Sequence, residues 1–189
     1  MNAPDVILIE STRDRHKHGN ACLIQWGARQ WYAPVADVRA TAEDLFTCAA
    51  YADLIGELIR ADVPPAIVSR LTTAMLADRR PRYFGTPKTI YVLPGGSSVR
   101  KVGVVALSKQ NAFHKGKALG ALDPNEARAM GRQWFEAAEA SESDTLFSSV
   151  LERAGWMQQA EMDSLFALLN DIRASIPDVV EQMSGEAGS

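Results

Sequence analysis

From position 41 to 60 apolar side chains recur at helical spacing. Leu45, Phe46, Cys48, Ala49, Ala52, Ile55, Leu58 and Ile59 cover most of a helical circumference, leaving one narrow polar stripe of Glu43, Thr47, Asp53, Glu57 and Arg60. A helix this apolar is buried on several sides, so the rest of the fold is expected to be arranged around it. Thr41 is the expected N-cap, with Glu43 and Asp44 placing negative charge where the helix dipole favours it. Upstream, 6–10 reads as a short strand, and 21–26 with 30–35 as a hairpin whose second strand is marked by Pro34 as an edge.

Downstream, Val63-Pro64-Pro65 interrupts the chain and a second helix is predicted over 65–77, antiparallel to the first. Strand-like runs return at 89–93 and 99–107. Between them, Pro94, Gly95, Gly96, Ser97 and Ser98 predict a hairpin turn. Residues 108–122 read as a long basic loop. Asp123-Pro124-Asn125-Glu126 is the clearest helix start in the chain, opening a helix whose core face is Ala127, Met130, Trp134, Ala137, Ala138 and Ser141. The polar patch 141–144 is a break or an exposed side. A further segment, 146–154, stops at Gly155, and a last helix over 159–175 ends at Pro177. The fold expected is a single α+β domain over 1–184, with two hairpins forming a small, mainly antiparallel sheet against four or more helices, and a disordered tail at 185–189.

Composition narrows the class. The chain has 189 residues and is 47% hydrophobic, enough to build a core without disulfides. Two cysteines, Cys22 and Cys48, lack metal-ligand spacing and read as small buried hydrophobes in a reducing compartment. There is no signal-peptide pattern and no run of transmembrane length, so a cytoplasmic protein without membrane insertion is expected. The net charge of −3 conceals a strong segregation. Residues 79–122 contain nine Lys and Arg and no Asp or Glu, whereas residues 123–189 contain four Lys and Arg against 13 Asp and Glu. Such asymmetry points either to an anionic ligand or to internal pairing between the two blocks.

Candidate chemistry concentrates in the basic stretch. Arg82, Lys88, Arg100, Lys101, Lys109, His114, Lys115 and Lys117 form the candidate nucleic-acid or nucleotide site, with Tyr83, Phe84, Tyr91 and Phe113 interleaved as stacking surfaces or as core. The Pro94–Ser98 run is either a phosphate cradle or a plain turn. His16 and His18 offer a weak metal pair beside Asp14, and Glu136, Glu139, Glu142 and Asp144 are a Mg²⁺-gathering face or a solvated one. No Walker A, nucleophile elbow, HExxH, CxxC or GxGxxG pattern is present. No catalytic residue is assigned.

The run over 31–60, WYAPVADVRATAEDLFTCAAYADLIGELIR, passes from strand to helix in a form similar to the start of a ParB-type domain. With the overall size, it resembles the plasmid-encoded fertility-inhibition proteins of the Osa type in the ParB/sulfiredoxin superfamily. The resemblance implies DNA or nucleotide binding, ATP and Mg²⁺ as cofactors, DNase or ATPase activity, and inhibition of a conjugation or type IV secretion apparatus. The superfamily's Gly-x-x-Arg signature is not present as such, since Gly96 and Arg100 are one residue too far apart. Two readings follow. One is a nucleic-acid- or nucleotide-binding inhibitory protein of a mobile element. The other is a non-enzymatic inhibitor that docks on a protein partner through its acidic C-terminal helices.

Overall fold

Among the described residues, two hairpin-based sheets and four helices make up the α+β architecture. The computed structural model describes residues 7–14, 19–26, 29–77, 90–108 and 118–186. In chain order the elements are β1 (Ile7–Asp14), β2 (Gly19–Trp26), β3 (Arg29–Pro34), α1 (Val35–Arg60), α2 (Pro65–Ala77), β4 (Tyr91–Ser97), β5 (Val102–Ser108), β6 (Ala118–Leu122), α3 (Pro124–Ala154) and α4 (Gln159–Glu186).

β1, β2 and β3 form one antiparallel meander and β4, β5 and β6 another. In the first sheet Cys22, Ile24 and Trp26 alternate inward along β2, as a half-buried strand requires. In the second, Val92 on β4 and Val105 and Leu107 on β5 do the same. The strands thus make two sheets rather than one, and part of the expected 108–122 loop is β6.

The helices set the sheets apart. α1 packs against β4 and β5 and also against α3, while α3 packs on β1 and β2. One contiguous apolar cluster runs from Ile24 through Leu45 and Ala49 to Val105 and Trp134. α1 begins at Val35, earlier than the sequence suggested, because Val35 and Val38 extend the buried stripe of Ala42, Leu45, Ala49 and Ala52. Thr41 is therefore not a cap. It lies inside the helix and donates to Asp37 O at 2.8 Å, and Pro34 precedes the helix without a side-chain cap.

Small residues let α1 lie directly on the second sheet. A Cβ placed on Gly103 would stand 1.7 Å from Ala52 O, and one on Gly96 would stand 2.4 Å from Ile59 Cδ1. This explains the Pro94-Gly95-Gly96 run, which is not the hairpin turn. These residues belong to β4, an edge strand where proline is tolerated, and Gly96 pairs with Gly103 beneath the last turns of α1. The turn is at 98–101.

α3 is one continuous helix across 141–144, so the patch is not a break; Ser141 lies in the core and Ser143 faces out. It opens with the expected capping box, in which Asp123 Oδ1 accepts from Asn125 N at 2.7 Å and Glu126 N at 2.9 Å, and Glu126 Oε2 accepts from Asp123 N at 2.8 Å. It closes at Gly155 in the left-handed region. α4 runs through Pro177, where the sequence suggested an end. A proline deletes one helical hydrogen bond without obliging the chain to leave the helix.

Candidate functional site

The sequence-based site divides sharply. Arg82, Lys88, Lys109, His114, Lys115 and Lys117 lie outside the described residues, as do His16 and His18. Arg100 and Lys101 are brought together on the exposed β4–β5 turn. Lys101 takes a left-handed φ of 52°, and the Arg100 backbone N donates to Ser97 Oγ at 3.2 Å. Lys101 Nζ lies 3.0 Å from Asp62 Oδ1, in the turn after α1. Both partners are well exposed, so this pair positions the turn and adds little stability. Of the neighbouring glycines, Gly96 faces Ile55 and Ile59 of α1 and Gly95 faces Val104 of β5.

The acidic face of α3 is not a metal-gathering surface. Arg39, reaching from α1, donates through both terminal nitrogens to Glu142, at 3.0 and 2.8 Å, and to Glu139 at 2.7 Å. Its guanidinium carbon also lies 5.7 Å from the Phe135 ring centroid. The Glu142 contact is the leading cause that raises the Arg39 pKa above the ordinary arginine value. The planar fork makes this a two-point clamp between α1 and α3. Among the described residues, no group of three or more His, Cys, Asp or Glu has the arrangement of a metal site.

A second polar cluster lies where β1, α3 and α4 meet. Arg173 on α4 donates to both carboxylate oxygens of Asp144 on α3, each at 2.7 Å, and this contact raises the Arg173 pKa. Ser11 Oγ on β1 lies 3.0 Å from Asn170 Oδ1 and 3.2 Å from Asp144 Oδ2, while Asn170 Nδ2 donates to Ser11 O at 3.3 Å. Ser11, Asp144 and Asn170 border a cleft of about 190 Å³, which Thr12, Thr145, Ser148, Asp163 and Phe166 also line. Ser148 is buried and its hydroxyl has no hydrogen-bond partner among the described residues. The lining carries two carboxylates, Asp144 and Asp163, of which Asp144 is engaged by Arg173 in a charged pair that spans α3 and α4. Its chemistry is that of a latch holding α4 on the fold.

Around this latch the helices are unusually apolar on the outside. Trp156, in the α3–α4 connection, is 75% exposed and Leu146 is 68% exposed, with Phe147, Val150, Leu168 and Ile172 also exposed. Phe147 meets Phe166 edge-on at 6.4 Å between centroids, which joins the two helices. The sequence reading missed this surface by treating 146–154 as a separate segment. The signal was there: Ser148 and Leu151 continue the core face, so Leu146 and Val150 must point away from it.

Comparison with protein-family models, with curated proteins and with solved structures finds no match for this chain. The fold and the site define an α+β protein that carries an exposed helical hairpin. Among the described residues, no helix is long and apolar enough to cross a membrane.

Proposed function

We propose that this is a non-enzymatic binding protein that docks on a protein partner through the hairpin of α3 and α4. The observation that carries the reading is the set of large apolar side chains left in water there, headed by Trp156 and Leu146. Exposed apolar surface rimmed by charge marks interaction sites. Glu139 and Glu142 hold Arg39, so the acids of α3 are in part structural and the apolar residues supply the attraction. The resemblance to fertility-inhibition proteins suggests a component of a conjugation or type IV secretion apparatus as the partner.

Photo-crosslinking tests this in the protein's native cell background. A benzophenone side chain at position 146, 156 or 168 is expected to trap a discrete adduct, and the same probe at Tyr32, exposed on β3, is expected not to. Equal yields at all four positions, or none at any, would sink the reading.

A second reading has its own support: Arg100 and Lys101 share an exposed turn within the carboxylate-free stretch, as a polyanion-binding surface requires. In that reading the protein holds nucleic acid or nucleotide at the β4–β5 turn, with conjugative DNA as the target that the resemblance suggests.

A further inference from the structure

The docking reading leaves open what kind of partner the hairpin takes, and α4 narrows it. On this helix Phe166, Asn170 and Arg173 face the fold, toward Phe147, Ser11 and Asp144. Leu168 and Ile172, four positions apart, are both exposed. Glu161 and Ser164 continue the same line at spacings of three and four residues, so the outward side of α4 is a short apolar ridge with a carboxylate at its beginning. Asp171 is exposed beside it.

The whole helix contains six carboxylates and a single arginine. That arginine is Arg173, already engaged on both sides of its fork by Asp144. Of the carboxylates whose side chains are described, Glu161 and Asp171 are exposed, so the outward side of α4 is an apolar ridge flanked by two negative groups.

We infer that α4 receives a basic amphipathic helix from the partner, a proposal that rests on the hairpin being a docking surface. Charge decides between the occupants. A second copy meeting this one α4 to α4 would set two strongly anionic helices against each other, and like charges at an interface oppose association. A helix with apolar residues on one side and lysine or arginine beside them satisfies the ridge and the carboxylates together. Its binding draws on both terms, so it weakens with salt without vanishing.

The test uses the full-length protein and three fluorescein-labelled peptides of about eighteen residues, long enough to hold a helix. One is a leucine–lysine amphipathic helix, one its leucine–glutamate counterpart, and one the leucine–lysine composition in scrambled order. Fluorescence anisotropy is expected to show the leucine–lysine helix bound at least about tenfold more tightly than either control, a difference of about 1.4 kcal/mol.

Replacing Leu168 and Ile172 with Ser, or reversing Glu161 and Asp171 to Lys, is expected to remove that preference. All four positions are exposed, Glu161 also accepts from Gln158 N at 2.7 Å at the start of α4, and circular dichroism therefore checks that the helices persist in each variant. Equal binding of the leucine–lysine and leucine–glutamate helices, lost in the Ser variant, overturns the basic partner and leaves the docking surface standing. Tight binding that ignores both variants overturns the placement on α4. Failure of all three peptides, together with concentration-dependent self-association in light scattering that the Glu161 and Asp171 reversals abolish, overturns the proposal in favour of a second copy docking its basic stretch here. Failure of all three without self-association also overturns it, and the crosslinking result then shows separately whether the hairpin docks at all.

Discussion

At the scale of single residues, the core is specified by small side chains as much as by large ones. Cys22 shows how. It is fully buried on β2, its Sγ donates to Ala137 O at 3.5 Å, and beside it Ser141 Oγ donates to Ala21 O at 2.8 Å. A larger residue at either place would separate α3 from the first sheet. Burial pushes the Cys22 thiol up from 9.0 to about 12, with the Ser141 hydroxyl opposing the shift weakly. The sign follows directly. The folded state holds the thiol proton more tightly than the unfolded chain, so this group leaves stability unchanged below about pH 9 and costs stability as pH rises from 9 toward 12. Urea unfolding of the wild type is therefore expected to weaken across that window more steeply than that of Cys22→Ala, although the variant is less stable at neutral pH. Parallel curves for the two proteins would mean that the thiol does not titrate with folding. Because the thiolate is the reactive form, the native thiol is also expected to resist alkylation at pH 8.

Among the elements, legibility tracked how far each one's local signals agreed with its packing. The Asp123 capping box and the helix over 65–77 were readable because cap, proline and apolar period all point the same way. The Pro94-Gly95-Gly96 run was misread because glycine serves two ends, turning the chain and admitting a neighbour. The atoms that decide between them, Ala52 O and Ile59 Cδ1, are distant in sequence. The latch was illegible for the same reason: Ser11, Asp144, Asn170 and Arg173 come from three elements, and none is unusual alone. That latch makes α4 a separable unit. Arg173→Met keeps the aliphatic stem and removes the fork, and the half-exposed pair is worth about 1 kcal/mol once solvent screening is counted. Amide exchange in α4 is expected to quicken roughly fivefold, with α1 unchanged. Uniform acceleration over the whole chain would instead place Arg173 in the global fold.

For the whole molecule, the question is what the segregated charges do once the chain has folded. Among the described residues, the pairs do not join the basic stretch to the acidic tail: Glu139 and Glu142 take Arg39 from α1, Asp144 takes Arg173, and Arg128 takes Asp53. From the basic stretch, Lys101 turns to Asp62 at the end of α1. Glu139, Glu142 and Asp144 of α3 are thus tied to helical arginines, while the β4–β5 turn stays at the periphery with Arg100 in water. Two oppositely charged regions on one molecule suit a protein that presents different surfaces to different partners, which is why the two functional readings are compatible. They separate experimentally by salt and by site. If the turn holds polyanions, Arg100→Glu with Lys101→Glu removes two phosphate contacts and makes two repulsions. Affinity for a single-stranded oligonucleotide is then expected to fall at least tenfold, and the slope of log affinity against log salt to flatten by about 1.4, near 0.7 per lost contact on single strands. Helix docking through α4 is expected to be untouched by the same pair. An oligonucleotide that binds the variant with the wild-type slope would remove the β4–β5 turn from any nucleic-acid surface and leave the hairpin as the protein's working face.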